Sequence, residues 1–535
     1  MNLEYPDYAI SDIGRLFYIY DYKFTGEHRV RLVFDGSRQS PNTYTLTYSP
    51  TVRSESIRLF HVYAIEMDWD IRQFDVPQAF LQSFIDHDIF VYPPRAHVER
   101  PGQILKLRLA LYGAKQSSAL FYKLLNAFLL SIGFISSTMD PCFYRRHDAL
   151  IIVHVDDMRV AALPDVLQQI HDALYARFNI TTSDGIRFLG MDVFHDRPNG
   201  RLTMGMKTYI QSTMDRFATF DVTRGCPYRE IVGCLLWIVL CVVGPELVRV
   251  KDLARRSNNP TPQDYQDALR VLKRIWKRRH VAIIFQRGTA GTELIPSQLR
   301  PTSIVTPDTA SDLPGPPVER RDPPPLQLTS SDLSSNVSSA NTLAVEATYS
   351  HFVEHGLMPD FEIDNISEPD IPINHRFNII GYTDASFAVG ETKHSISGLS
   401  IFMNGTPIFW ASSKQTIVAD STCAAEFIAS SICCKYMLIL LNMTHFLGFR
   451  CPKPYKLYTD SQASLSIASN ANKMGQIRHI AIRYHLVRSL VINGTIDLVF
   501  CVTEDMIADL LTKMLSGASF DRLSARFYFI GSYTF

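Results

Sequence analysis

The chain has 535 residues, of which 46% are hydrophobic and 20% charged, and its basic and acidic side chains balance at 53 each. That length implies more than one domain with cores of their own, and the zero net charge excludes a chain that is basic throughout, so nucleic-acid contact would fall to local patches. Nine scattered cysteines with no Cys-x-x-Cys pair point away from zinc ribbons and disulfide scaffolds, toward free thiols in a reducing compartment.

The N-terminus, MNLEYPDYAISDIG, carries acids where a secretory leader carries a basic region, and an intracellular location is expected, without a choice between cytoplasm and nucleus. The segment up to Asp75 reads as strand-rich. In HRVRLVF, strand alternation places Arg29 and Arg31 on one face and Val30 and Leu32 on the other. That face is either a basic finger over a triphosphate or an ordinary solvated strand. The run DIRQFDV ends a strand at Asp75, and Pro77 suits the first turn of a following helix. SSALFYKLLNAFLLSIGF gathers Leu120, Phe121, Leu124, Leu125, Phe128 and Leu129 on one helical stripe, with Ser117 or Ser118 as cap and Gly133 as stop.

The stretch DALIIVHVDDMRVAAL, from Asp148 to Leu163, has two short β-branched runs around Asp156 and Asp157. It is predicted to be a β-hairpin with the acids at its tip. An Asp-Asp pair also makes turns for purely local reasons. Context favours chemistry, because a helix pattern in DVLQQIHDALYARF completes the order strand, helix, hairpin, helix of a ferredoxin-like palm and brings Asp75 to the same sheet edge. Three converging carboxylates need a cation between them, and Mg²⁺ is the hard cation that carboxylates and phosphates share. In outline that is a phosphoryl-transfer site.

The apolar run IVGCLLWIVLCVV, Ile231 to Val243, is shorter than the roughly 20 residues a bilayer requires; a buried helix and no membrane partner are expected. ALRVLKRIWKRRH separates Leu269, Leu272, Ile275 and Trp276 from Arg270, Lys273, Arg274, Lys277 and Arg278, a face suited to a phosphate backbone. From about 289 to 373 the composition turns to Pro, Ser and Thr and then to acids, which predicts a disordered linker. After it, GYTDASF ends near Asp384, two strand-like runs meet at Asn404 and Gly405, and a long helix from Ser421 to Leu447 carries Glu426. KLYTD ends at Asp460, and a helix near Ile507 carries Asp509. Antiparallel strands, a helix and a parallel strand with acids on one edge give the order of an RNase H-like domain.

These residues resemble the reverse transcriptase and ribonuclease H region of copia-type LTR retrotransposon polyproteins. The collinear motifs are RLVFDGSRQ with YSPTVRSESIR, QFDVPQAFLQ, LALYGAKQSSALFY, HVDDM, RFLGMDV, YREIVGCLLW, GYTDASFA, HSISG, FWASSKQTIVADSTCAAEFIA, LYTDSQAS, RHIAIRYHLVRS and ADLLTK. The resemblance implies that Asp75, Asp156 and Asp157 hold two Mg²⁺ ions, with Mn²⁺ as a substitute, for nucleotidyl transfer. It implies that Phe80 lies under the nucleotide sugar and selects dNTPs, that Lys115 and Gln116 contact template and nucleotide, and that Arg31 reaches the triphosphate. It further implies that Asp384, Glu426, Asp460 and Asp509 hold two metals for cleavage of RNA in an RNA–DNA hybrid. His479 and His485 fall in the matching RHIAIRYH segment and read as structural. Departures from the family pattern occur at His154, Ser118, Ala424, Ser461 and Ala481, and none removes an expected metal ligand.

The expected organisation is therefore reverse transcriptase fingers and palm at 1–215, a helical thumb or connection at 216–288, the linker at 289–373, a ribonuclease H-like domain at 374–520 and a tail at 521–535. The expected function is RNA-directed DNA polymerisation on an RNA template and DNA primer, with hybrid cleavage in the second half. With no nucleocapsid, protease or integrase motif, the sequence reads as part of a polyprotein. The rival readings are a catalytically inactive or domesticated nucleic-acid binder that keeps the fold, which metal-dependent turnover would tell apart, and a chain with one live domain, which separate assays after cutting within the linker would settle.

Overall fold

Alternating apolar residues around the paired acids build the central sheet of the first half. In the computed structural model, which describes residues 13–22, 28–94, 103–220, 226–288, 377–389, 393–469 and 486–528, strands Ala149–His154 and Asp157–Ala162 form the expected hairpin. The second of these pairs antiparallel with Asp70–Asp75, and that strand pairs with Thr181–Ser183. Helices Ser117–Ser131 and Pro164–Phe178 are the two crossovers. Numbered in chain order, these strands lie 4-1-3-2 in the sheet, the order of a ferredoxin-like unit, and Phe143–Arg146 and Ile135–Ser136 extend it. Both hairpin strands are almost wholly buried, as a central sheet position requires.

Smaller sheets flank the palm. Gly14–Tyr22, His28–Phe34, Phe90–Tyr92 and Leu105–Lys106 make a fingers sheet around its own small core of Phe34, Ile89, Val91, Leu111 and Ala114. Arg187–Phe188, Met191–Asp196, Arg201–Gly205 and Ala282–Gln286 make another, beside helices Lys207–Ala218, Tyr228–Cys241, Leu247–Arg255 and Pro262–Lys277. The apolar run from Ile231 is buried helix, as expected.

In the second half Thr406–Lys414, His394–Met403, Ile379–Val389, Tyr455–Thr459 and Ile496–Phe500 lie in that spatial order. The first pairings are antiparallel and the last two parallel, which is the RNase H-like arrangement. Asn404 and Gly405 both take positive φ, as a two-residue hairpin turn demands. Helix Thr422–Phe446, capped by Ser421 through the Ala424 amide, is buried along most of its length and lies across the sheet.

Several local expectations are corrected. Pro77 leads not into an α-helix but into a single turn, Ala79–Gln82, entered through Gln78 in the left-handed region. Neither Ser117 nor Ser118 caps the next helix; Ser117 Oγ donates instead to the Leu111 carbonyl at 2.7 Å. Asp509 sits on a short 3-10 turn, Ile507–Leu511. Helix Gly517–Phe527 runs through the boundary expected at 520/521. The expected linker, His479 and His485 lie outside the described residues.

Candidate active sites

The palm acids are brought together by register. Asp75 is the direct cross-strand partner of Asp157, and His154 pairs with Asp157 across the hairpin, which leaves Val155 and Asp156 as the two-residue turn. Val155 takes φ 60°, a conformation a β-branched residue adopts only under constraint. The Val76 amide donates to the Asp156 carbonyl at 3.2 Å and so joins the tip to the end of the Asp75 strand. Burial, then the neighbouring Asp156 carboxylate, raises Asp75 above the usual carboxylate range. Burial, Asp156 and Asp75 push Asp157 up to about 6. Oxygen donors that repel one another are the type a hard divalent cation takes, although these three do not reach the one-ion spacing of the acids in the second half.

A buried network missed by sequence reasoning lies behind Asp157. Gln73 hydrogen-bonds the Asp157 carboxylate, and Arg159 Nη2 donates to Gln73 Oε1 at 3.4 Å. Arg159, 1% exposed, also donates from Nη1 to His61 Nε2 at 3.0 Å. His61 Nδ1 in turn donates to the Ile57 carbonyl at 2.8 Å. Burial holds the His61 imidazole well below its ordinary pKa, so it is neutral and accepts at Nε2.

The expected substrate residues divide. Phe80 meets the Tyr112 ring at 4.8 Å, and Tyr112, within the LALYGAKQ motif but not singled out there, feels the charges of Asp156, Arg29, Arg31 and Asp75. Arg29 lies within the electrostatic reach of Asp75, whereas Arg31 faces Asp21 at 3.8 Å. Lys115 is exposed, with Nζ 3.1 Å from Tyr44 Oη. Gln116 is a correction: it is fully buried, accepts from Gln39, and donates to the Thr43 carbonyl and to Asp86, so it locks the loop rather than touching a substrate. The basic helix face is also partly corrected. Arg274 and Arg278 turn to Glu246 and to the Phe520 ring, leaving Arg270, Lys273 and Lys277 exposed.

In the second half Asp384, Glu426 and Asp460 offer oxygens within 4.8 Å of one another, and among the described residues they are the group spaced to hold one ion. The Ala385 amide donates to Glu426 Oε1 at 3.1 Å, while Glu426 Oε2 is buried without a partner. Burial and the facing Asp384 and Asp460 push Glu426 up to about 9. A buried carboxyl oxygen without a partner, facing two other acids in an oxygen cage, fits a divalent ion. Asp509 stands slightly apart, tied to Lys513 Nζ at 2.7 Å, and Lys513 also lies 3.6 Å from Asp384 Oδ2. Gly398, opposite Asp384 in register, permits this approach: a Cβ there would lie 2.6 Å from Thr512 Cγ2 and 2.8 Å from the Ala508 carbonyl. Thr512 Oγ1 then donates to Asp384.

The fold is a reverse-transcriptase-like palm with fingers and a thumb or connection, followed by an RNase H-like α/β unit. Residues 13–227 match the family described as reverse transcriptase (RNA-dependent DNA polymerase). The chain is similar to the retrovirus-related Pol polyprotein from transposon RE1 of Arabidopsis thaliana, 25% identical over 531 residues and covering 93% of this chain and 30% of that protein. It is also similar to the Pol polyprotein from transposon TNT 1-94 of Nicotiana tabacum, at 22% identity over 92% of this chain and 33% of the relative. The chain thus spans about a third of the length of these relatives. A foamy viral protease-reverse transcriptase solved with double-stranded DNA covers 92% of this chain and 65% of its own, with TM-score 0.43 and 10% identity. The likenesses to these polyproteins bear out the resemblance to copia-type retrotransposon polyproteins that the motifs carry.

Proposed function

We propose that this chain is an RNA-directed DNA polymerase with a ribonuclease H half, working inside the cell on an RNA template, a DNA primer, dNTPs and the hybrid they form. The observation that carries the reading is the register that sets Asp75 against Asp157, with Asp156 at the turn between the hairpin strands, inside the segment that matches the reverse transcriptase family. Mg²⁺ held by these acids would supply Lewis-acid activation and stabilise charge on the attacking and leaving oxygens. The chain's own share is positional. Gln73 and Arg159 fix Asp157, Phe80 with Tyr112 supplies an aromatic floor on which a deoxyribose fits, and Arg29 brings positive charge beside the carboxylates for a triphosphate.

In the second half, Asp384, Glu426 and Asp460 are the residues that would hold the ion. Lys513 and Thr512 orient Asp509 and Asp384 around it. The substrate distinction would rest on the RNA 2′-hydroxyl.

The test is Mg²⁺-dependent dNTP incorporation on an RNA template with a DNA primer, and cleavage of a labelled RNA strand in a hybrid. Asp156→Asn is expected to lower the first by about 10²- to 10³-fold and leave the second, with the reverse for Asp384→Asn. A folded wild-type chain that binds hybrid and turns over neither substrate would instead leave only the nucleic-acid binder.

A further inference from the structure

Helix Tyr228–Cys241 in the first half ends without enough partners of its own, because the last carbonyls of any helix lack intrahelical donors. The second half supplies some of them. Trp410 Nε1 donates to the Val239 carbonyl at 2.9 Å, and Tyr528 Oη adds a bond at 3.0 Å to the carbonyl of Val242, just past the helix, which also accepts from the Gly244 amide. Arg58, from the first half, donates to the Leu240 and Cys241 carbonyls and, across the boundary, to the Ile408 carbonyl at 2.7 Å. Its guanidinium lies 3.8 Å from the centre of the Trp410 ring. A cation at a helix C-terminus is well placed electrostatically, and this one is 2% exposed.

Around this point the same pattern repeats. Thr406 Oγ1 donates to the Ile284 carbonyl at 2.9 Å, and Lys251 Nζ donates to the Ser412 carbonyl. Tyr63 meets Phe449 at 4.3 Å and Phe377 at 4.9 Å. Gly244 lies so close to the second half that a Cβ would stand 2.6 Å from Phe527 Cζ and 2.9 Å from Trp410 Nε1. Aromatic rings, a buried arginine and satisfied main-chain groups are the composition of a permanent interface rather than of a transient one.

We infer that residues 377–528 are a docked partner of the first half, held by the surface centred on Arg58, Trp410 and Gly244 and not by the chain between 288 and 377. The two halves stay together when that connection is cut.

The experiment places a protease recognition site between 289 and 376 of the full chain and cuts it after purification; native size-exclusion chromatography is then run at low and at high salt. The pieces are expected to elute together, with the mass of the intact 60.7 kDa chain, at both salts, because carbonyl-directed and aromatic contacts are little screened. Gly244→Val is expected to lower the co-eluting fraction at least ten-fold. Thr406→Val, which removes one hydroxyl, keeps the test valid if Gly244→Val does not fold; it weakens the association by about ten-fold. Separation of the wild-type pieces overturns the inference, and so does undiminished co-elution of whichever of the two variants folds. The readout is mass, so it stands whether or not either half turns over substrate.

Discussion

Val155 and Gln78 hold positive φ on the two segments that carry the palm acids, and the strain at Val155 is the sharper because the residue is β-branched. Glycine there would relieve about 1–3 kcal/mol of conformational cost against about 0.4–1 kcal/mol of added chain entropy. Val155→Gly should therefore leave the urea midpoint equal or higher while dNTP incorporation falls, because the turn that aims Asp156 is looser. A protein both less stable and fully active would refute this. Glu426 makes a second residue-scale prediction. Its carboxyl is pushed up to about 9 when no ion is bound, and Asp509 to about 7, with Asp384, Asp460 and Lys513 facing them. The folded protein then holds protons that the unfolded chain releases. That stabilisation is complete below the ordinary carboxylate pKa and is lost as pH rises through the folded value. Melting temperature in chelator should fall between about pH 5 and 9, Mn²⁺ should raise it more at the alkaline end, and Glu426→Gln should flatten the profile. Calorimetry with and without the ion measures all three. The acids themselves were legible in the sequence because strand ends and motif order mark them. The Arg159, His61 and Gln73 network was not, since each partner is remote in sequence and a buried arginine reads as a surface one.

Elements with strong periodicity matched their sequence. The stripe of Phe121, Leu125 and Leu129 is buried where a 3.6-residue repeat puts it, and the Asn404–Gly405 turn follows from backbone chemistry alone. Ends were less legible, because a cap is decided by what else competes for the hydroxyl; Ser117 is claimed by Leu111. Thr261 is the clear counterexample. It accepts from the Asp264 amide while Asp264 accepts from the Thr261 amide at 2.8 Å, a reciprocal capping box at the start of Pro262–Lys277. Thr261→Ala should cost about 1 kcal/mol, up to about 2, read from denaturant titration. The basic face of this helix misled for a tertiary reason. Arg274 and Arg278 are drawn to Glu246, 1% exposed, which requires compensation for its buried charge.

At the scale of the molecule, composition places a Pro- and Ser-rich stretch between the halves and so suggests two independent domains. Among the described residues the main hydrophobic core instead runs from the palm, through Tyr63 and Tyr228–Cys241, into the second sheet, beside the small separate core of the fingers. Sequence patterns register which face of an element is apolar, not which other element covers it, so this continuity was not legible. Strands Ala149–His154 and His394–Met403 are accordingly expected to lose hydrogen-exchange protection together as denaturant rises; protection lost at clearly separate concentrations would mean separate cooperative units.

The helix end satisfied by Trp410 and Tyr528 also bears on how the protein is made. The ribosome delivers Val239 and Tyr63 long before it delivers Trp410, Phe377 and Phe449, which cover them, so until then the nascent first half leaves that carbonyl and that ring to water. A copy interrupted by a stop codon in the stretch between the halves would leave bare the surface around Gly244 that Trp410 and Phe527 cover, a target for chaperones and proteases. Quality control would thereby clear truncated copies, whichever activity they had lost.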